Sequence, residues 1–233
     1  MLPPGNGFPN SVSGCCRKQS DEPYSFVGKY PLKPFPVTEE WSGQSVTYTV
    51  QPLECRGYSM RLVKTLKLEG NRLDISYRVE NTGTEALRIE EYIHNFVGID
   101  GALVGTDYEL RLPGTPQIVA PESAYTENLL SVDGNSLTWS GEADRQFYCR
   151  LEGWEQAEAD YYWELIHKPS GACIRESGDF AAERIALWGD KHVISPEVFL
   201  LTSLFLPRHS KGWSRSYQFF SLPEPCLAYL ICE

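Results

Sequence analysis

The sequence has no long hydrophobic run. Its longest apolar stretch, 198–206, is interrupted by Thr202 and Ser203 and is far shorter than the ~18 residues that suggest a membrane-spanning helix. Residues 1–5 have neither a basic start nor an apolar core, so they predict no secretory signal. We therefore expect a soluble protein with no membrane partner.

Positive charge and regularly spaced cysteines are also scarce. The chain has 21 Lys and Arg against 31 Asp and Glu, a net charge of −10, which repels a phosphate backbone and predicts no nucleic-acid partner. Its seven cysteines include no C-x-x-C pair and are odd in number. This pattern favours reduced thiols and a cytoplasmic location over a disulfide framework. The sequence gives no indication of the oligomeric state.

Motifs for metals and nucleotides are missing as well. The four histidines, His94, His167, His192 and His209, are widely separated and form no H-x-H or H-E-x-x-H motif. The sequence has no G-x-S-x-G elbow, no glycine-rich phosphate loop and no dinucleotide fingerprint. We therefore predict no metal site and no cofactor.

The sequence does contain one repeated feature, an alternation of apolar and polar residues that is typical of strands. Residues 1–44 contain seven of the sixteen prolines, so we expect an irregular segment there, followed by a single domain over 45–233. From Val46 onward, apolar and polar residues alternate with a period of two, and no amphipathic helix is convincing. Strands are predicted at 61–68, 73–81, 87–97, 108–112, 136–139, 147–151, 157–166, 172–176, 184–188, 193–206 and 214–220. The predicted fold class is therefore all-β, a sandwich or barrel.

The first candidate for chemistry is His94, within the predicted strand 87–97. Alternation places Glu90, Tyr92, His94 and Phe96 on one face and apolar residues on the other. A histidine between two aromatic rings suits a sugar, because rings stack on its C–H faces while imidazole reaches a ring or hydroxyl oxygen. The alternative is a partly buried structural histidine.

The second candidate is Glu197, which lies between Pro196 and a long apolar run. Such a carboxylate is expected to be desolvated, and desolvation is one way in which proteins prepare a general base. The alternative is a solvated charge at the start of an edge strand.

These residues belong to segments that together resemble a known family. The stretch 73–83, ending in Asn81-Thr82-Gly83, followed by 92–96 around His94, is similar to the aldose 1-epimerase (galactose mutarotase) superfamily, especially its uncharacterised bacterial branch. Residues 195–199, with Trp213, add to the resemblance. It implies a large two-sheet antiparallel β-sandwich, the galactose mutarotase-like supersandwich, a small-molecule sugar as ligand and no cofactor. Members are usually longer, so we expect a chain shortened at its N-terminus.

The resemblance also implies roles for individual residues. His94 would protonate the sugar ring oxygen and Glu197 would take the proton of the anomeric hydroxyl. If the two straddle one pyranose, we expect a separation of roughly 5–8 Å. The candidate substrate-binding residues are Tyr92, Asn95, Phe96, Trp188 and Trp213.

Three functions remain open on the sequence alone. The first is an isomerase that interconverts sugar anomers, the second a non-catalytic carbohydrate-binding protein on the same fold, and the third a purely structural β-sandwich. The acidic composition favours a neutral sugar. A phosphosugar is the alternative if Arg61, Lys64 and Arg88 form a basic pocket.

Overall fold

A computed structural model describes residues 7–10, 14–17, 31–154 and 161–222 of the protein. The chain divides into two compact units, each built from discontinuous segments. Unit 1 comprises Met1–Glu69, Leu73–Glu90 and Thr202–Ser214, and unit 2 comprises Gly70–Arg72, Glu91–Leu201 and Arg215–Glu233. These units do not follow the boundary expected at residue 44.

Strands form nearly all the regular structure of the described residues, which confirms the all-β prediction. They are β1 (Gly7–Asn10), β2 (Gly14–Arg17), β3 (Leu32–Pro34), β4 (Val37–Ser42), β5 (Ser45–Val50), β6 (Met60–Glu69), β7 (Arg72–Asn81), β8 (Leu87–Glu91), β9 (Tyr108–Arg111), β10 (Gln117–Val119), β11 (Leu130–Asp133), β12 (Ser136–Trp139), β13 (Phe147–Glu152), β14 (Tyr162–His167), β15 (Ala172–Gly178), β16 (Ala182–Asp190), β17 (Val193–Phe205) and β18 (Ser210–Ser221).

In unit 1, the first part of β18 is followed across the sheet by β7, β6, β5 and β4. The alternation in β7 is realised, because Ile75, Tyr77 and Val79 are buried while their neighbours are not. The interpretation of residues 1–44 as irregular is wrong for β1, β2, β3 and β4. The longest of these strands is β4. That strand contains no proline, and since it is exposed along its whole length, it gave no alternating signal.

The Asn81-Thr82-Gly83 motif has a structural role within unit 1. Asn81 is fully buried, and its Nδ2 donates hydrogen bonds to the carbonyl oxygens of Glu85 and Phe205, at 2.8 and 2.9 Å. A Cβ on Gly83 would lie 2.2 Å from the carbonyl oxygen of Gly57. The motif therefore fixes a turn in which the backbone approaches another segment too closely for any side chain.

Unit 2 contains two antiparallel sheets that pack face to face. One has the order β10-β13-β16-β17 and the other the order β11-β12-β9-β14-β15-β18. Apolar side chains from both fill the space between them, and the rings of Trp139 on β12 and Phe147 on β13 lie 6.2 Å apart. This arrangement confirms the expected two-sheet antiparallel sandwich.

Two of the predicted strands have other bounds than expected, and β5, β10 and β11 were not among the predicted strands. The strand expected over 87–97 ends at Glu91 as β8, so His94 lies in the following loop rather than in a ladder. Of the strand expected over 157–166, the part from Tyr162 onward is confirmed by β14, whereas 157–160 lies outside the described residues.

One short helix was not predicted. Helix α1 (Ala124–Leu129) begins at the cap residue Ser123, whose side chain accepts a hydrogen bond from the Thr126 amide. Six residues are too few to show a helical period. No helix in the described ranges has the length and apolar character that crossing a bilayer would require.

The contact between β13 and β16 provides a test of the packing in unit 2. A Cβ at Gly189 would lie 2.2 Å from the ring of the fully buried Phe147. We expect Gly189→Ala to lower the free energy of unfolding by about 1–3 kcal/mol, because the buried ring has no room to move away. Urea denaturation measures this change.

Gly141→Ala is the matched control, since an added Cβ there meets no atom within 4 Å. We expect it to change stability by less than about 0.5 kcal/mol. Equal losses in the two variants would contradict the described packing of Phe147 on Gly189.

Candidate functional site

His94 and Glu197 meet in unit 2, where they form a hydrogen-bonded pair. Nδ1 of His94 lies 2.5 Å from Oε1 of Glu197, and because an ionised carboxylate can only accept, Nδ1 carries the proton. Glu197 lies on β17 with its side chain 5% exposed, whereas the imidazole of His94 is 48% exposed. The buried carboxylate thus orients the ring, and Nε2 is the nitrogen left to meet a ligand.

This geometry corrects the separation expected from the sequence. A gap of roughly 5–8 Å was expected between two groups that straddle one pyranose, but the two side chains contact each other directly. They form a dyad of the kind in which a carboxylate fixes the tautomer of a catalytic imidazole and balances its charge.

His94 lies in the middle of a row of aromatic rings. We call Phe199, Tyr92, His94, Phe96 and Trp188, in this spatial order, the aromatic strip. Neighbouring ring centroids along it are 4.3, 4.9, 5.2 and 5.3 Å apart. The rings of Tyr92, His94 and Phe96 therefore lie side by side, as expected, although the segment that carries them is not a strand.

Phe96 is the most strained member of the strip. Its φ is +44°, in the left-handed region that non-glycine residues rarely adopt, and its ring is 53% exposed. The ring lies parallel to the His94 imidazole, with an interplanar angle of 3°. Strain of this kind persists where the surrounding structure fixes the backbone, and it occurs often at binding sites.

The side chain of Asn95 holds the loop that carries His94 in place. Its Nδ2 donates hydrogen bonds to Oε2 of Glu176 at 3.3 Å and to the carbonyl oxygen of Pro196 at 2.5 Å, and its Oδ1 accepts one from the Tyr217 hydroxyl at 2.8 Å. Asn95 was predicted to bind the sugar, but its side-chain amide forms hydrogen bonds with other residues of the protein. We assign Asn95 a positioning role instead.

The backbone of Asn95 completes the connection to the dyad. Its N–H donates to Oγ of Ser195 at 2.9 Å, and the Ser195 hydroxyl donates to Oε1 of Glu197 at 3.2 Å. The loop is also held one step further on, where Val97 and Ile194 exchange two backbone hydrogen bonds. Both partners of the dyad are thus fixed to the same short stretch of β17.

Beneath Asn95 lies a buried ion cluster formed by Glu91, Glu176 and Arg215. Both Arg215 and Glu176 are fully buried, and Nη1 of Arg215 donates to Oε1 of Glu176 at 2.5 Å. Nη2 of the same guanidinium donates to Glu91 at 2.7 Å and to the carbonyl oxygen of Val198 at 2.9 Å. The cluster therefore joins β15 and β18 of one sheet to β17 of the other.

Burial and charge act in opposite directions on this cluster. Burial would lower the pKa of Arg215, but the nearby carboxylates of Glu176 and Glu91 outweigh it and hold that pKa above its usual range. Burial raises the pKa of Glu176, while Arg215 and the indole N–H of Trp163 favour its ionised form. The guanidinium is consequently a permanent buried charge that requires its partners.

The structure places the remaining predicted site residues in different parts of the protein. Trp188 on β16 is half-buried and belongs to the aromatic strip. Trp213 does not join it: it is buried in unit 1, where it stacks on Tyr77 at 5.2 Å. Arg61, Lys64 and Arg88 also belong to unit 1. In the described part of the chain, no group of three metal-ligating side chains is found.

Glu176, Arg215 and Ser195 were not among the predicted site residues. The sequence did contain a pattern that could have identified Glu176 and Arg215. Each is a charged residue at a position that alternation assigns to an apolar face. On β18, for example, Arg215 lies between Trp213 and Tyr217 on the same face. The antiparallel register then pairs Glu176 with Tyr217, one pleat from Arg215. That register could not be read from the sequence.

Comparison with known proteins identifies the fold. No protein-family model matches the chain, and no curated protein matches its sequence significantly. Among solved structures, the Slr1438 protein from Synechocystis sp. PCC 6803 shares 14% identity at a TM-score of 0.58, covering 94% of this chain and 75% of its own. A galactose mutarotase related enzyme from Lactobacillus acidophilus shares 14% identity at a TM-score of 0.57, with coverages of 86% and 79%.

A GalM/aldose epimerase homologue from C. elegans shares 12% identity at a TM-score of 0.58, with coverages of 96% and 82%. The resemblance noted in the sequence is thus confirmed at the level of fold. The chain has the galactose mutarotase-like fold, which it shares with these structures.

The buried ion cluster provides a second test. We expect Glu176→Gln to lower the free energy of unfolding by about 3 kcal/mol, because Arg215 then keeps only one of its two carboxylate partners in a buried environment. Chemical denaturation followed by circular dichroism measures the loss.

Glu40→Gln on the exposed strand β4 is the matched control, with an expected change below about 0.5 kcal/mol. A Glu176→Gln variant as stable as this control would contradict the described ion pair.

Proposed function

We propose that the protein is a carbohydrate-active isomerase that interconverts sugar anomers, in the manner of an aldose 1-epimerase. The observation that carries the proposal is the direct hydrogen bond between Nδ1 of the half-exposed His94 imidazole and the buried carboxylate of Glu197. The galactose mutarotase-like fold and the exposed rings of the aromatic strip support a sugar as ligand.

The dyad suggests how protons move in the reaction. Nε2 of His94 takes the proton of the anomeric hydroxyl, the bond between C1 and the ring oxygen breaks with its electron pair going to that oxygen, and Nε2 then gives the proton back there. One nitrogen can serve both oxygens because they are bonded to the same carbon. Rotation about C1–C2 and the reverse sequence on the other face produce the second anomer.

In this mechanism Glu197 does not touch the sugar. It holds Nδ1–H, which leaves Nε2 free as the base, and it stabilises the imidazolium that exists between the two proton transfers. The sequence-based role of Glu197 as the direct base is less favoured, because its side chain is nearly buried and Oε1 already accepts from His94 and Ser195.

The rings on either side of His94 would bind the substrate. Tyr92 and Phe96 are exposed and flank the imidazole, so a pyranose that stacks on them brings its anomeric carbon to Nε2. This exposure also favours the second candidate function, a carbohydrate-binding protein without turnover, since stacking alone supplies affinity.

We also propose a cytoplasmic location. The three cysteines whose side chains the structure describes, Cys55, Cys149 and Cys173, are free and buried. Burial raises the pKa of the Cys149 thiol to about 12, which keeps it protonated and unreactive at neutral pH.

The proposed function is tested by following anomer interconversion of freshly dissolved α-glucose and α-galactose by polarimetry or exchange NMR. We expect His94→Ala to abolish the catalysed rate. Glu197→Gln should lower kcat by about 10²- to 10⁴-fold, because a glutamine amide can donate to Nδ1 and favour the wrong tautomer.

His209→Ala is the control, since His209 is exposed in unit 1, and it should leave the rate unchanged. Catalysis that survives in His94→Ala would refute the enzyme proposal. Sugar binding by the native protein with no rate enhancement would establish the second candidate function.

A further inference from the structure

A fully buried hydroxyl group lies between the two partners of the dyad. Ser195 is on β17 and has no exposed surface. Its Oγ lies 2.9 Å from the backbone nitrogen of Asn95 and 3.2 Å from Oε1 of Glu197. Ser195 and Glu197 are two residues apart on one strand, so their side chains point to the same face of the sheet. One side chain therefore contacts both the loop that carries His94 and the carboxylate that binds its imidazole.

Chemistry fixes the direction of both hydrogen bonds. A hydroxyl group can rotate to suit its partners. The backbone N–H of Asn95 can only donate, so Oγ of Ser195 is its acceptor. An ionised carboxylate can only accept, so the hydroxyl proton points to Glu197. Oε1 of Glu197 thus accepts two hydrogen bonds, one from Ser195 and one from Nδ1–H of His94.

The hydrogen bond from Ser195 restrains a torsion that is otherwise soft. The last side-chain torsion of a glutamate has broad, roughly two-fold preferences, so rotation of the carboxylate costs little by itself. A second donor on Oε1 holds the carboxylate of Glu197 in one orientation toward His94. Because that orientation fixes the position of the proton on Nδ1, the hydroxyl of Ser195 contributes to the tautomer that the reaction needs.

Burial makes the hydroxyl hard to replace. Ser195 pairs with Trp188 across β16 and β17, and the ring of Trp188 contacts that of Phe96. Removal of the hydroxyl oxygen alone leaves a space smaller than a water molecule. The backbone N–H of Asn95 and Oε1 of Glu197 would then lose a partner without gaining another one, which is costly for buried polar groups.

We propose that Ser195 is a positioning residue for the reaction at His94, an inference that rests on the proposed function. Ser195 does not touch the sugar. It orients the carboxylate of Glu197 through one hydrogen bond and holds the loop through the other. Its effect falls on kcat rather than on KM, because the rings proposed to bind the sugar, those of Tyr92 and Phe96, are not among its hydrogen-bond partners.

Two variants at this position separate positioning from packing. We expect Ser195→Ala to lower kcat for anomer interconversion by about 10- to 100-fold, the factor that corresponds to a buried hydrogen bond to a charged group, with KM within about twofold of the native value. Ser195→Gly removes the whole side chain and leaves a space close to the volume of one water molecule. That water can accept from Asn95 and donate to Glu197, so we expect a kcat about tenfold above that of Ser195→Ala.

A residue that only filled space would give the opposite order, because glycine within a strand is less stable than alanine. The positioning role is therefore refuted if Ser195→Ala keeps the native kcat, or if Ser195→Gly is no more active than Ser195→Ala. Should Ser195→Ala fail to fold, Ser195→Gly decides alone. A kcat within about tenfold of the native value, with KM unchanged, supports the role, and a larger fall refutes it.

Ser170→Ala is the matched control. The hydroxyl of Ser170 likewise accepts from a backbone N–H, that of Ala172 at 3.3 Å, and lies 2.8 Å from Nδ1 of a histidine, His167. Neither Ser170 nor His167 contacts the dyad through these bonds, so we expect kcat and KM to stay at the native values. A fall in kcat equal to that of Ser195→Ala would refute a role that is specific to Ser195.

Failure of the proposed function is recognised separately. If the native protein accelerates no interconversion, proton–nitrogen NMR of the His94 imidazole measures the positioning alone. We expect Ser195→Ala to raise the rate at which the Nδ1 proton exchanges with water by about tenfold or more, and Ser170→Ala to leave it unchanged. Equal exchange rates in the native protein and in Ser195→Ala would overturn the inference, whether or not the protein is an enzyme.

Discussion

A fully buried arginine sets the constraint on which the site of this protein depends. Arg215 cannot lose its charge, and removing a guanidinium from water is costly unless each partner is in place. The partners come from β15, from β17 and from the end of β8, so the chain can bury Arg215 only when the two sheets of unit 2 meet in one register. A polar cluster of this kind fixes the register of the two sheets, which apolar packing alone would not specify.

The same cluster determines where the loop after β8 runs. Glu91 holds the start of that loop on Arg215, and Glu176 accepts a hydrogen bond from Asn95 four residues later. Phe96 lies directly after Asn95 and belongs to no strand, so no ladder fixes its backbone and it can keep a positive φ. The positive φ at Phe96 places its ring against the imidazole of His94. The buried ion cluster thus determines how the exposed rings are arranged.

Much of this fold could be predicted from alternation. The strands β7, β12, β13 and β16 follow it closely, because each has one face in a core and one outside it. The exposed strand β4 and the six-residue helix α1 have no such contrast, and they were missed for that reason.

The two residues of the proposed site could be singled out from the sequence, but the contact between them could not. His94 and Glu197 could be singled out from their neighbours and from a family resemblance, since the residue types carry the chemistry. Their direct contact depends on a loop that leaves the sheet and on a buried ion pair between distant strands. Neither feature has a local sequence period, and for the same reason the hydrogen bonds by which Asn95 supports the loop could not be predicted.

The central claim is that the buried network presents His94 with Nδ1 protonated and Nε2 free. Proton–nitrogen correlation NMR of the imidazole, recorded at a pH where the ring is neutral, measures this tautomer directly. We predict a single dominant form with the proton on Nδ1 and slowed exchange of that proton with water. A ring that carries its proton on Nε2, or that exchanges freely between both forms, would contradict the account.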